Sequence, residues 1–206
     1  ANASTARNRQ RVIRMSLLAL QMRSSVRRTR TGLVSLYSMS ARGKPRTMSD
    51  RDLTRFVDAQ SGGEYESALA EIHAGQKRSH WIWYVFPQIS GLGMSHMSQL
   101  YAIRDRDEAV AYLHHPVLFA RLLEITTAVA EHVRKGASIE RVMGASIDAA
   151  KVVSSLTLFG EIARSLSESP TDANAVLADL AEEVLIAAAA QGYQRCHRTL
   201  DRLGGA

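Results

Sequence analysis

Apolar residues recur at three- and four-residue steps along most of the chain after residue 50, which is the pattern of amphipathic helices. No run of alternating apolar and polar residues indicates a strand, and no internal repeat is visible. We therefore predict an all-α fold class, with one multihelical domain over residues 48–206. The predicted helices cover residues 52–60, 65–74, 96–102, 107–113, 116–134, 148–166 and 172–191.

Capping residues support the ends of these helices. Pro116 stands near the first position of a long amphipathic run, where the missing backbone N–H of proline is tolerated. Asp172 is predicted to cap the last long helix, and Gly192 to end it. Gly75 is expected to end the second helix.

Residues 77–88, named the hallmark segment here, contain both tryptophans of the chain together with two cations and a histidine. Aromatic residues are only 6% of the chain, so their concentration beside cations suggests a formed pocket. Aromatic and β-branched content suits a strand, whereas Ser79 suits the cap of a short helix. We favour a helix and allow one very short β element near residues 81–86.

Formal charge divides the chain into two regions. Residues 1–47 contain eleven Arg or Lys and no acidic residue, whereas residues 48–206 carry fifteen basic and twenty acidic residues. The basic leader lacks a periodic apolar pattern, so we predict that it is disordered. An upstream extension before a natural start at Met48 is the favoured origin, ahead of an Arg-rich targeting peptide and a basic nucleic-acid arm. Nucleic acid is not a predicted partner, because no aromatic stacking residues are interleaved with the arginines.

Residue types that form disulfides or bind metals are few. The single cysteine, Cys196, excludes an intramolecular disulfide, which suits a reducing compartment, and we expect a cytoplasmic protein. No apolar run is long enough to span a bilayer, so no membrane partner is predicted. His114 and His115 diverge on a helix, and His73 and His80 lack a ligand at metal-binding spacing. No metal and no cofactor are therefore predicted.

Two side chains are candidates for catalysis. His80 lies beside two cations and Trp81, so its imidazole is a candidate acid or base near neutral pH, or a donor in a structural turn. Glu71, on the preceding helix, is a candidate catalytic carboxylate because it could reach Lys77 or His80 across the turn at Gly75. Solvation at the protein surface explains Glu71 nearly as well.

Five side chains are candidates for ligand binding. Lys77 and Arg78 suit a phosphate or carboxylate, or else a solvated helix end. Trp81 and Trp83 point apart in any regular element, so we expect one in the core and the other against a planar ligand. Gln88 is a candidate polar contact, although a plain connecting loop also explains its position.

Several motifs resemble a bacterial family. In order, they are Phe56-Val57-Asp58-Ala59-Gln60, Tyr65 with Ala68, Lys77-Arg78-Ser79-His80-Trp81 with Trp83, Phe86-Pro87-Gln88, Gly91-Leu92-Gly93, Tyr101-Ala102-Ile103, Tyr112-Leu113 and His115-Pro116-Val117-Leu118. Over about residues 53–159 the chain resembles the domain-of-unknown-function family 1810. The resemblance implies a mainly α-helical fold without an established activity. Some members carry the label calpastatin, which nothing in this sequence supports.

Within residues 53–159 the chain departs from the usual pattern of that family at two places, and its C-terminal region, residues 184–205, departs as well. Phe119 stands where glycine usually follows the His-Pro motif, and residues 149–152 read Ala-Ala-Lys-Val where an Asp-Leu-Lys-Leu-like stretch is usual. A more distant likeness, at the level of fold alone, connects the chain with a family proposed to process ADP-ribose-linked metabolites.

The convergence of cations, an imidazole and aromatic rings leads to one functional hypothesis. We expect the hallmark segment to bind a small anionic metabolite, such as a nucleotide or an ADP-ribose-like compound. If the protein is an enzyme, hydrolysis of a glycosidic bond is the expected reaction. The alternatives are a protein-interaction module that uses the Trp- and Arg-rich surface, and a purely structural hallmark segment.

Overall fold

The computed structural model describes the backbone of residues 48–204 and the side chains of residues 53–204. Ten helices occur in this part of the chain: α1 Met48–Ala59, α2 Glu64–His73, α3 Ile82–Val85, α4 His96–Leu100, α5 Arg106–His114, α6 Pro116–Arg134, α7 Ile139–Met143, α8 Ser146–Leu166, α9 Ala173–Ala189 and α10 His197–Arg202. No β-strand occurs in these residues, and the all-α prediction is confirmed. The predicted disordered leader, residues 1–47, lies outside the described residues. None of the ten helices has the length and apolarity needed to cross a membrane.

The long helices follow from their apolar spacing and their caps. Helix α6 has the predicted bounds, with Pro116 in its first turn and His115 Nδ1 accepting a hydrogen bond from the Leu118 amide. Asp172 caps α9 as predicted, since its carboxylate accepts from the Ala175 amide at 2.7 Å. The sequence pattern does not predict α7 and α10, because five and six residues are too few to show a helical period.

Helices α6, α8 and α9 contribute most of the buried apolar side chains. Residues with less than 2% exposure in these helices include Leu122, Ile125, Phe159, Ile162 and Leu177. Gly160 lets α8 and α9 approach closely, because a Cβ at this position would lie 3.1 Å from the Cβ of Ala181. The core therefore holds α8 rigidly, and residues at its first turn have a defined position.

The middle of the hallmark segment forms a short helix and not a strand. Trp81 directly precedes α3, a single turn whose last amide, that of Val85, donates to the Trp81 carbonyl at 3.2 Å. The favoured helix is thus confirmed, and the very short β element allowed near residues 81–86 does not form there. An isolated parallel bridge joins Ile89 to Ile103 instead. Ile82 and Val85 are buried on this turn. A strand exposed to solvent would not bury these two side chains, so their packing favours the helix.

The start of the hallmark segment docks on the connection between α7 and α8. The Lys77 amide donates to the Val142 carbonyl at 2.8 Å. Gly144 has φ of +75°, and a Cβ there would lie 2.5 Å from the Lys77 carbonyl oxygen. This close backbone approach positions Lys77 beside the first turn of α8.

Candidate functional site

Glu71, near the end of α2, is the centre of the hydrogen bonds that hold the start of the hallmark segment. Its carboxylate accepts from the Arg78 amide at 2.8 Å, the Ser79 hydroxyl at 2.6 Å and the Trp81 indole N–H at 2.7 Å. The Ser79 amide also donates to it, at 3.1 Å. Gly75, with φ of +85°, ends α2 and turns the chain back toward Glu71. Glu71 therefore organises the backbone on which four predicted site residues lie.

The same contacts keep the Glu71 carboxyl ionised. Burial raises its pKa, but the hydrogen bonds from Ser79, from the backbone amides and from Trp81 outweigh burial and lower the pKa from 4.5 to about 2. A carboxyl this acidic has no proton to donate at neutral pH. The contacts thus give Glu71 a structural role, and the predicted catalytic role stays a prediction.

Lys77, Asp148 and Lys151 form a charged cluster beside this turn. Lys77 Nζ lies 2.6 Å from Asp148 Oδ2, and Lys151 Nζ lies 2.9 Å from Asp148 Oδ1. The side chains of Lys77, Asp148 and Lys151 are 8%, 13% and 18% exposed. Two ammonium groups share one carboxylate, so the cluster carries a formal charge of +1 with Lys151 nearest to solvent.

Each lysine of the cluster also lies over an indole ring. Lys77 Nζ is 5.3 Å from the ring centroid of Trp81, and Lys151 Nζ is 4.8 Å from that of Trp83. Trp81 is 1% exposed, which confirms that one indole belongs to the core, whereas Trp83 is partly exposed. The expectation that the indoles point apart assumes a regular element, but Trp81 precedes α3. Both rings therefore meet the same charged cluster.

Asp148 lies in the first turn of α8, yet its carboxylate faces the lysines. Burial raises the pKa of Asp148, but the hydrogen bonds and charges of Lys77 and Lys151 outweigh it and lower the pKa below its usual value. Ala145 precedes the helix and provides no side-chain cap, and residues 144–147 are exposed. The first turn of α8 thus offers its N–H groups next to a cluster of net positive charge, and both favour an anion.

The remaining predicted residues do not join the cluster. Arg78 and His80 are exposed on the loop that Glu71 holds. Within residues 48–204, neither side chain has a hydrogen-bond or ion-pair partner. Gln88 lies beyond α3 at the bridge, where its carbonyl accepts from the Ile103 amide at 2.8 Å. Its amide side chain is partly exposed.

Sequence reasoning missed Asp148 and Lys151, which complete the cluster. The sequence pattern predicts both residues within the helix over 148–166 and indicates no role for them in the site. One indication was available: a lysine interrupts the apolar residues Ala149-Ala150 and Val152-Val153, three residues after an aspartate. Ionisable side chains beside buried apolar residues need partners of opposite charge, and Asp148 pairs with both Lys151 on its own helix and Lys77.

Next to the start of the hallmark segment is a cavity of about 500 Å³ that the sequence does not indicate. Its lining residues are Gln76, Ser138, Glu140, Arg141, Gly144, Gln191 and Tyr193. The Tyr193 hydroxyl donates to Glu140 at 2.8 Å, and the Gln191 side chain accepts from the Ile139 amide at 2.8 Å. In the described part of the chain, no three His, Cys, Asp or Glu side chains group as ligands for a metal ion.

Comparison with known proteins identifies the family to which the chain belongs. Residues 50–180 match the model of a family described as Protein of unknown function (DUF1810), and the predicted family is confirmed. No curated protein matches the chain. Among solved structures, the fold is similar to the crystal structure of the conserved hypothetical protein Rv1873 from Mycobacterium tuberculosis. The TM-score is 0.57 and the identity 36%, over 74% of this chain and 96% of that chain. The matched range, residues 50–180, spans the hallmark segment and the charged cluster.

Proposed function

This chain belongs to the DUF1810 family of proteins of unknown function, and from its geometry we propose that it binds a small anionic metabolite at the cluster of Lys77, Asp148 and Lys151. The observation that carries this proposal is the excess of one positive charge in a largely buried cluster. A buried charge without full compensation is unfavourable, and an anion at Lys151 would neutralise it.

The surroundings of Lys151 favour a ligand with an anionic group and a planar group. The uncapped first turn of α8 adds N–H groups and the positive end of its dipole to the ammonium group. Trp83, which is partly exposed, offers an aromatic face beside Lys151. A nucleotide or an ADP-ribose-like compound combines these two groups, and exposed Arg78 and His80 are further donors on the adjoining loop.

Binding of a metabolite is better supported than hydrolysis of a glycosidic bond. Such hydrolysis commonly uses one carboxylic acid that stays protonated and one carboxylate. Both nearby carboxyls, those of Glu71 and Asp148, have lowered pKa values and already accept hydrogen bonds. His80 is the one predicted catalytic residue whose side chain is exposed and without a partner in residues 48–204. A hydrolytic step would therefore depend on His80.

The alternatives explain less of the geometry. A protein-interaction surface draws on exposed aromatic residues, but Trp81 and Phe86 are 1% and 0% exposed. A purely structural role explains Glu71 and Trp81, whose contacts hold the loop. It does not explain why Lys151 adds a second positive charge to a carboxylate that Lys77 already neutralises.

Isothermal titration calorimetry of the full chain with AMP, ADP, ADP-ribose and UDP-glucose tests the proposal. We expect at least one compound to bind, and Lys151→Met to weaken that binding roughly tenfold, which corresponds to the loss of one ion pair to the ligand. Lys151→Met leaves the Lys77–Asp148 pair intact, so the fold should be retained. Chromatography of the titrated samples shows whether a glycosidic bond is also cleaved, and His80→Gln should abolish that cleavage.

A matched control is Lys135→Met, which removes an exposed lysine that follows α6 and whose side chain has no partner in the described residues. The affinity of Lys135→Met for the bound compound should equal that of the unchanged protein. If no compound binds, or if Lys151→Met and Lys135→Met behave alike, the proposal is wrong and the structural role of the hallmark segment prevails.

A further inference from the structure

A second cleft, with a volume of about 310 Å³, lies between α10 and the loop that follows the hallmark segment. It is lined by Ser90, Gly91, Leu92, Arg198, Asp201 and Arg202. The loop is held in place by the bridge, since the Ser90 amide donates to the Ile103 carbonyl at 2.7 Å. None of these residues belongs to the charged cluster, so the cleft is a separate candidate site.

The guanidinium of Arg202 rests directly on the loop. Its Nη1 donates to Ser90 Oγ at 3.2 Å. Gly91 has φ of +86°, and a Cβ there would lie 2.9 Å from Arg202 Nη2. Glycine therefore permits both the turn and the close approach of the guanidinium. The Gly91 amide has no hydrogen-bond partner among residues 48–204, and Gly91 lines the cleft together with Arg202.

Two arginines and one aspartate line this cleft, which therefore carries a formal charge of +1. Arg198 and Arg202 are four residues apart in α10 and therefore lie on one helix face, where like charges repel. Neither forms an ion pair in the described part of the chain, and Asp201 pairs with neither. Six other arginines of the described residues have carboxylate partners, namely Arg55, Arg104, Arg121, Arg134, Arg164 and Arg195. Arg78, Arg106 and Arg141, like the two arginines of the cleft, form no ion pair in that part of the chain.

We propose that this cleft binds the phosphate group of a small metabolite. Two guanidinium groups and one backbone amide suit an oxyanion with several acceptor oxygens, because each guanidinium presents paired N–H groups. The volume fits a phosphorylated compound of modest size. The inference does not depend on the function proposed for Lys77, Asp148 and Lys151, because the two sites share no residue.

An NMR titration of the full chain with ribose 5-phosphate, observed at the Gly91 amide, tests this inference. We expect a saturable shift of that amide, and a dissociation constant raised roughly tenfold by Arg198→Gln and by Arg202→Gln. Inorganic phosphate should compete and ribose should not, since phosphate is the group recognised. Both arginines are exposed, so unchanged melting temperatures are expected for the variants.

The matched control is Arg106→Gln. Arg106 is also exposed and also donates to a serine hydroxyl, that of Ser165 at 3.0 Å, but it does not line the cleft. The Arg106→Gln variant should leave the shift of the Gly91 amide with ribose 5-phosphate unchanged. The same result is expected for Lys151→Met at the other site. The inference is overturned if the Gly91 amide shows no saturable shift, or if the shift persists in the double variant Arg198→Gln and Arg202→Gln.

Discussion

The most direct perturbation of the hallmark segment is Glu71→Gln, which keeps the size of the side chain and removes its charge. Four N–H and O–H groups, from Arg78, Ser79 and Trp81, donate to the Glu71 carboxylate. A glutamine side chain has one acceptor oxygen, and its NH₂ group would face donors. The indole N–H of Trp81, a residue 1% exposed, is then left without its charged acceptor.

Two lines of reasoning give the magnitude. Loss of a charged acceptor by a buried donor costs about 1–3 kcal/mol, and weaker exposed hydrogen bonds add little. The lowering of the Glu71 pKa from 4.5 to about 2 corresponds to about 3 kcal/mol before solvent screening, and to roughly half of that for a group this exposed. We therefore expect Glu71→Gln to lower the free energy of unfolding by about 2 kcal/mol at pH 7.

The effect should depend on pH in a defined direction. The folded-state pKa of Glu71 is lower than its unfolded value, so its contribution is complete above about pH 4.5 and is lost as the pH falls toward about 2. Urea denaturation followed by tryptophan fluorescence measures the free energy of unfolding at each pH. The difference in this free energy between the unchanged protein and Glu71→Gln should shrink as the pH falls from about 4.5 toward about 2, whatever other carboxyls titrate.

The control for this measurement is Glu66→Gln on the same helix. Glu66 is 66% exposed, and its nearest cation, Arg121, lies 3.7 Å away, so the expected loss is below about 0.5 kcal/mol. If Glu71→Gln and Glu66→Gln destabilise the protein equally, or if the effect of Glu71→Gln is the same at pH 3 and pH 7, Glu71 does not organise the loop as the hydrogen bonds indicate.

Two further predictions concern the packing around the cluster. Asp148→Asn should lower the free energy of unfolding by about 3 kcal/mol, because Lys77 and Lys151 then lose their shared counter-charge, and Lys77 is only 8% exposed. A smaller loss after simultaneous Lys77→Met replacement would support this cause, and an equal loss would contradict it. Gly144→Ala should cost about 2–3 kcal/mol through its positive φ and a Cβ 2.5 Å from the Lys77 carbonyl, whereas Gly136→Ala, with positive φ and open space, should cost about 1 kcal/mol. Thermal unfolding compares the stability of the two glycine variants directly. Equal losses of stability would show that the contact between the new Cβ at position 144 and the Lys77 carbonyl is relieved.

Part of the candidate site can be predicted from the sequence. The local concentration of tryptophans and cations at residues 77–83 predicts that these side chains converge, and Trp81, Lys77 and Glu71 do come together. The sequence predicts that Glu71 meets Lys77 or His80 across the Gly75 turn. Glu71 instead accepts hydrogen bonds from backbone amides and an indole, because the direction of the chain after a left-handed glycine depends on what the next segment packs against.

Local patterns along the chain are enough to define the long helices and the family. The bounds of α6 and the cap of α9 follow from apolar spacing, Pro116 and Asp172, because each involves atoms within a few residues of one another. The cluster of Lys77, Asp148 and Lys151, and the cleft of Gly91 with Arg202, join residues far apart in the chain. Their contacts exist because α8 and α10 are held by the core in one arrangement, and no spacing rule within a segment contains that information.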